Sequence, residues 1–339
     1  MTWTLPAPML TTPVARPDLP PGCAAEPKWD GYRAQLARNA EGRVLLRSRQ
    51  GSDMTAAFPE IRDAALAQLP GGVGLDAELV VWEDGRLAFE RLQQRLARRR
   101  SGGALAAART WPAHLVVFDL LRRDDADLTA WSYVRRRAAL ESLFAEARLS
   151  APFTLCPSTT DPVTARQWLA WTSAGLEGLC FKRLTEPYRP GVRTWMKYKV
   201  RATAEAIVGA VTGPLTVPRT LLLGRHDDTG RLRYTGRTVP LARTAATGLA
   251  AGLEPADGEH PWRGRTFTTG WGSREVLDVT LVVPQLVVEV DVDVARDAAG
   301  RWRHPVRLHR IRAEMHPMHV PKFGGGGELP TDGDLREQR

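Results

Sequence analysis

From residue 205 onward the apolar spacing of helices nearly vanishes from this chain, and short β-type runs take over. Such runs cover 206–211, 221–225, 231–234, 279–283 and 286–292. Gly213-Pro214, Asp228-Thr229-Gly230 and Ala298-Ala299-Gly300 lie between them and carry the residue types that tight turns require. About five strands in roughly 110 residues is the size of a small barrel of the OB type. A helix over 239–253 fits within that span. Before residue 200 the pattern is mixed. Strand-like runs at 43–47, 79–82 and 114–118 are interspersed with helical apolar spacing at 56–68, 135–147 and 163–171, an arrangement that predicts an α+β domain rather than a strictly alternating α/β one.

The 339 residues therefore divide into an α+β domain over 22–201 and an all-β domain over 204–318, with a hinge at 200–204. Residues 1–21 contain six prolines and read as an extended strap with little regular structure. The Gly324–Gly327 run and its polar surroundings make 319–339 a flexible tail.

A hydrophobic content of 43% and a charged content of 25% are globular values. No apolar run approaches the roughly 18 residues that span a bilayer, and the N-terminus lacks the pattern of a secretion signal. Cys23, Cys156 and Cys180 show no disulfide or metal spacing and read as small buried hydrophobes of a reducing cytoplasm. The seven histidines form no ligand cluster in sequence. A net charge of +9 and a pI near 10.0 point to a polyanionic partner.

Lysine is scarce. Of 47 basic residues only Lys28, Lys182, Lys197, Lys199 and Lys322 are lysines. Arginine stays protonated and attacks poorly, whereas an amine can lose its proton and act as a nucleophile, or sit on phosphate as a compact charge. Lys28 lies in Glu-Pro-Lys28-Trp-Asp-Gly-Tyr-Arg. On extended backbone Lys28 and Asp30 face one cleft, and Gly31 permits a sharp turn beside a ligand. Asp76 and Glu78 are spaced by two, as are Lys197 and Lys199, so each pair shares one strand face.

Lys28-Trp29-Asp30-Gly31 with Arg33 resembles the Lys-x-Asp-Gly-x-Arg signature of nucleotidyltransferases that carry a nucleotide on lysine. Ser48-Arg49-Gln50-Gly51, Leu75-Asp76-Ala77-Glu78, Phe118-Asp119, Glu177-Gly178 through Lys182, and Trp195 through Lys199 follow in that family's order. Gly224-Arg225, Tyr234 to Arg237 and His304 to Arg307 make the second half similar to the bacterial ATP-dependent DNA ligases of the ligase C type, relatives of the ligase module of ligase D. The resemblance covers about residues 20–315. It implies an α+β nucleotidyltransferase (adenylation) domain followed by an OB-fold domain.

The same resemblance implies the chemistry. Lys28 attacks the α-phosphate of ATP, and neighbouring Lys197, Lys199, Arg33 and a divalent metal are expected to lower its pKa. Asp30, Lys197 and Lys199 join it as catalytic residues. Glu26 is expected at the base, Glu78 at the ribose or metal with Asp76 supporting it, and Phe118 on adenine, although pattern alone makes Phe118 core. Lys182 completes the nucleotide pocket, and Arg33, Arg49 and Arg193 form a cationic wall with the lysine pair. Asp30 and Glu177, with Glu78, are expected to hold Mg²⁺ or Mn²⁺, since such ions take carboxylate oxygens alongside phosphates.

Arg312, in a stretch that departs from the family's usual Arg-x-Asp-Lys ending, is expected to face the same side as Arg310 and to reach the β- and γ-phosphates. The basic run 95–100 reads as a solvated helix face suited to a duplex backbone. The expected partner is nicked or broken duplex DNA, with repair proteins as further partners, and the expected state is a monomer in the bacterial cytoplasm. The family's NAD-dependent members add a nicotinamide-recognising domain and a four-cysteine zinc module, for which 27 residues before Lys28 and three scattered cysteines leave no room. RNA ligase, capping guanylyltransferase and a non-catalytic OB-type nucleic-acid binder are the rival readings.

Overall fold

The computed structural model describes residues 4–324 except 98–102, 125, 257, 270–274, 294 and 298. The chain forms two compact units, Met1–Val200 and Arg201–Arg339.

The first unit is built on two sheets. Its strands are β1 (Leu10–Pro13), β2 (Cys23–Trp29), β3 (Tyr32–Arg38), β4 (Val44–Ser48), β5 (Val73–Glu83), β6 (Arg86–Leu87), β7 (Ala113–Arg123), β8 (Ala126–Asp127), β9 (Phe153–Leu155), β10 (Leu176–Arg183) and β11 (Arg193–Lys199). Its helices are α1 (Pro59–Gln68), α2 (Phe89–Ala97), α3 (Ala104–Thr110), α4 (Tyr133–Glu146) and α5 (Pro162–Gln167). One sheet has the order β4-β3-β5-β7-β8, with β6 on β5 and β9 on β7. The other has the order β1-β11-β10-β2.

The local reasons are legible. Pro59 opens α1, where its missing N–H costs nothing, and Ile61 and Ala65 turn inward. Asp161 caps α5 by accepting from the Val163 and Thr164 amides, satisfying donors that the first helical turn leaves unpaired. In α4, Tyr133, Arg136, Leu140 and Leu143 fall on the buried stripe. The main core of the unit joins Leu36, Leu46, Phe58, Ile61, Leu75, Leu79, Leu115 and Leu140.

Among the described residues the second unit is all-β apart from α6 (Arg243–Ala250) and a single 3-10 turn at Pro317–His319. Its strands are β12 (Arg201–Thr212), β13 (Thr220–His226), β14 (Leu232–Arg237), β15 (Thr280–Leu281), β16 (Val287–Asp293) and β17 (Arg307–Ile311). They form the order β14-β13-β12-β16-β17, with β15 on β12. Two apolar clusters fill it. One lies around Leu223, Val290 and Trp302, the other around Trp262, Phe267 and Leu232. Gly209 and Gly224 are fixed by Trp262: a Cβ at either would come within 2.5 or 2.8 Å of its ring.

Three boundaries differ from the sequence expectation. Residues 201–204, expected as hinge, already belong to β12, because their backbone pairs in register with Val290 to Asp293 of β16. The strap is not featureless, since β1 runs parallel to β11. Val320, expected in the tail, is buried in the Trp262 cluster, and the Phe323 amide donates to the His226 carbonyl. Residues 325–339 lie outside the described residues.

Candidate active site

Gly178 is the geometric centre of the lysine cluster. On one side it faces Lys28 of β2, on the other Lys199 of β11. Its φ is +152°, and a Cβ there would fall 2.0 Å from the Tyr198 carbonyl oxygen, so only glycine lets the three strands meet. Gly31 plays a similar part at the turn between β2 and β3, where a Cβ would lie 2.3 Å from the Leu79 carbonyl oxygen.

Glu177, buried at 2% exposure, places one oxygen 2.5 Å from Lys28 Nζ and 3.2 Å from Lys199 Nζ. The charge balance around Lys28 is opposite to the sequence expectation. Burial works against its ammonium, but Glu177, Glu78 and Asp30 outweigh burial and hold its pKa above the ordinary lysine range. The expected depression by neighbouring cations is therefore corrected: carboxylates dominate around Lys28. Lys197 does shift downward, through burial first and then repulsion from Lys28 and Lys199. Burial pushes Glu78 up to about 7, although Lys28 and Arg33 oppose the shift.

Behind this cluster lies a buried polar layer. Arg33 donates through Nε and Nη2 to the two Asp76 oxygens at 3.0 and 2.6 Å and through Nη1 to the Met9 carbonyl of the strap. Tyr188 donates to Asp76 at 2.6 Å and accepts from the Met9 amide at 2.9 Å. Lys182 Nζ pairs with Glu26 at 2.7 Å, donates to the Phe118 carbonyl at 3.0 Å and lies 4.6 Å from the Phe118 ring centre. Tyr133 donates to the other Glu26 oxygen at 2.6 Å. The Phe118 ring meets Trp195 edge-on at 6.0 Å.

A family model of the ATP dependent DNA ligase domain matches residues 8–199. Across 329 residues the chain is 36% identical to DNA ligase C2 of Mycolicibacterium smegmatis, covering 91% of this chain and 90% of that one. Identity to DNA ligase C of Mycobacterium tuberculosis is 33% over 334 residues, covering 92% and 91%. The chain belongs to the ATP-dependent DNA ligases. The ligase domain of M. tuberculosis LigD has a similar structure, with a TM-score of 0.51, 29% identity, and coverage of 94% of this chain and 98% of that one. The two units of the ligase are accordingly a nucleotidyltransferase domain and an OB-fold domain, and the protein is an enzyme that joins DNA ends using ATP.

Several sequence-predicted residues of the ligase converge: Lys28, Asp30, Glu78, Glu177, Lys197 and Lys199 act on one another electrostatically. Others stand elsewhere than expected. Arg33 is not part of an open cationic wall, because Asp76 and Met9 hold its guanidinium. Arg193 turns to the strap, donating to the Thr11 carbonyl at 3.1 Å. Arg49 is exposed; its amide donates to the Arg33 carbonyl and its charge reaches Lys197. Asp76 is fully buried rather than sharing an open face with Glu78.

In the OB-fold domain Arg312 meets Glu205 at 3.1 Å, Glu289 at 3.0 Å and Glu314 at 2.5 Å, while Arg310 meets Glu289 at 2.7 Å. Both arginines do face one side, but toward carboxylates. Arg95 is corrected too. It is fully buried, ion-paired with Glu60 under the Phe58 ring, not a solvated cation; Arg98 to Arg100 lie outside the described residues. Tyr133 and Tyr188 are the residues that sequence reasoning missed. No local signal marks them, since their partners Glu26 and Asp76 lie 107 and 112 positions away.

Proposed function

We propose that the ligase seals 5′-phosphate, 3′-hydroxyl breaks in duplex DNA, in DNA repair, through a covalent lysyl-AMP on Lys28. The observation that carries this reading is the Glu177 carboxylate shared by Lys28 and Lys199 at the one glycine that admits both strands. In the first transfer the Lys28 amine, having lost its proton, bonds to the α-phosphorus of ATP as the bond to pyrophosphate breaks. In the second, the P–N bond breaks and AMP passes to the DNA 5′-phosphate oxygen. In the third, the 3′-hydroxyl loses its proton, bonds to the 5′-phosphorus and expels AMP.

The residues divide the work. Lys197 and Lys199 neutralise charge on the transferring phosphate, a contribution that needs only fixed positive groups in a dry site. Glu26, Phe118, Lys182 and Glu78 line the nucleotide's base and ribose side, while Arg49 adds positive charge beside Lys197. Asp30, Glu177 and Glu78 fit a divalent cation, Mg²⁺ or Mn²⁺, because they are carboxylate oxygens gathered around one amine. Such an ion, when bound, supplies Lewis-acid stabilisation of phosphate charge and draws carboxylate charge away from Lys28. Arg312 would reach the pyrophosphate end of ATP only by leaving its three carboxylates.

The test is labelled ATP with purified protein, then a nicked duplex whose ends are DNA or RNA. Lys28→Arg keeps the charge but not the nucleophile, so it should form no adduct. A labelled Lys28→Arg adduct would sink the assignment, and sealing confined to RNA would replace DNA ligase with RNA ligase.

A further inference from the structure

Segments far apart in sequence converge on one carboxylate. Glu26 of β2, Tyr133 at the start of α4 and Lys182 of β10 are all buried. Lys182 Nζ takes one Glu26 oxygen at 2.7 Å, and the Tyr133 hydroxyl donates to the other at 2.6 Å. Ser158 Oγ stands 2.9 Å from the same hydroxyl. A tyrosine hydroxyl carries one hydrogen, and here Glu26 has it. Ser158 therefore donates to Tyr133, and the hydrogens of this relay all point toward Glu26. Burial first, and then the Glu26 charge, hold the Tyr133 proton in place well above the ordinary tyrosine range, so the relay keeps its polarity near neutral pH.

Backbone bonds fix the relay at both ends. The Tyr133 amide donates to the Glu186 carbonyl at 2.8 Å. Beside Ser158, the Ala25 and Thr159 backbones exchange bonds of 2.8 and 3.0 Å that tie this segment to β2. Arg137 of α4 donates to the Cys156 carbonyl at 2.7 Å and holds the same segment from its other side. Phenylalanine would serve apolar packing at position 133 equally well. The hydroxyl acts on Glu26 instead. With a fixed donor on each oxygen, the carboxylate can neither swing away nor turn an O–H outward. Its remaining lone pairs, about two of four, can only accept.

We propose that Tyr133, backed by Ser158, is a positioning residue that sets the ligase's choice of base: it fixes Glu26 as a pure acceptor, which selects a 6-aminopurine nucleoside triphosphate over a 6-oxopurine one. A 6-amino group offers hydrogen to such a carboxylate. A 6-oxo oxygen meets it lone pair against lone pair, and a buried polar group left unpaired in this way rejects the wrong ligand strongly. Tyr133 touches neither Lys28 nor the phosphate-facing lysines, so its effect belongs to nucleotide binding rather than to the transfer. This inference rests on the lysyl-AMP reading above.

The experiment compares full-length wild type with Tyr133→Phe in adduct formation from three labelled nucleotides. They are ATP, GTP and purine riboside triphosphate, which differs from ATP only in lacking the 6-amino group. Wild type should lose about 10- to 100-fold in kcat/KM without that group, the worth of a hydrogen bond to a charged partner. In Tyr133→Phe the loss should shrink to about 3-fold or less, and GTP should compete better against ATP. KM for ATP should rise about 5- to 20-fold in the variant while the maximal rate stays within about 2-fold of wild type. Equal weakening of ATP and purine riboside triphosphate would mark Tyr133 as a structural residue only and overturn the proposal, as would unchanged selectivity. If Tyr133→Phe does not fold, Ser158→Ala tests the relay from its far end. It should weaken the preference for the 6-amino group by about 2- to 5-fold, and an unmoved preference would then overturn the proposal. Wild type that forms no adduct with any of the three nucleotides would instead refute the lysyl-AMP reading itself.

Discussion

Lys28 and Lys199 reach the same oxygen of Glu177, at 2.5 and 3.2 Å. Two ammonium groups on one buried carboxylate oxygen keep each other close at the cost of mutual repulsion, and the carboxylate also locks Lys28 in its non-nucleophilic form. Glu177→Gln removes the strongest Coulombic support of the Lys28 ammonium. Its folded pKa should fall, so residual adduct formation in Glu177→Gln should begin at lower pH than in wild type. The maximal rate should nonetheless drop by about 100-fold or more, as the cluster loses the carboxylate that positions Lys28 and Lys199 and one of the three proposed metal ligands. A pH–rate profile of adduct formation checks both; an unmoved profile would show that Glu177 does not control the amine.

Glu78 gives a stability prediction. Its folded pKa of about 7 lies above the ordinary glutamate value, so the folded state binds a proton that the unfolded chain has released. That contribution is fully present below the ordinary glutamate value and is lost as pH rises toward 7. Glu78→Gln stays neutral throughout. Denaturant unfolding should show the variant matching wild type near pH 4.5 and exceeding it by about 2 kcal/mol near pH 7.

Asp119, next to Phe118, holds Arg136 through two bonds of 2.8 and 3.0 Å with both side chains at or below 1% exposure. Asp119→Ala leaves a buried guanidinium alone and should cost about 3–5 kcal/mol. Equilibrium unfolding measures it, and Asp119→Asn, which keeps an acceptor, should recover part of the loss.

These cases divide what the sequence reveals from what it hides. Lys28, Asp30, Glu78, Lys197 and Lys199 are legible because spacing by two on a strand places neighbours on one face. The run 114–118 within β7 and the turn-punctuated strands of the OB-fold domain are legible for the same periodic reason. Arg33 and Asp76 look from sequence like site residues, yet fold inward on each other, because register between β3 and β5 rather than spacing along either sets their contact. The strap's β1 was hidden by its prolines, since an edge strand tolerates Pro13 where a central one does not.

Gly178→Ala should be the most damaging small substitution. The added methyl would strike the Tyr198 carbonyl at 2.0 Å in a backbone conformation that side chains avoid. An unfolding cost of about 2–4 kcal/mol is expected, with adduct formation lost in the fraction that still folds. Circular dichroism melting together with the ATP-labelling assay separates the two effects.

Arg312→Ala bears on the OB-fold domain's bracing. Its loss leaves Glu289, at 7% exposure, with Arg310 alone and should cost about 1–3 kcal/mol. Adenylation from ATP and sealing of a pre-adenylated nick should then decline together. A selective loss of adenylation would show that Arg312 leaves its carboxylates for the nucleotide.

The strap carries a last consequence. By pairing with β11 in parallel while β10 pairs from the other side, residues 10–13 turn the strand of Lys197 and Lys199 from a border into an interior row. Both margins of that row are now proofread. A slip by one position would have to break two ladders at once, and would send both ammonium groups to the opposite side of the sheet. The placement of two phosphate-seeking charges thus behaves as an all-or-none code, and the proline-rich segment that looks like packaging is half of the lock that keeps it.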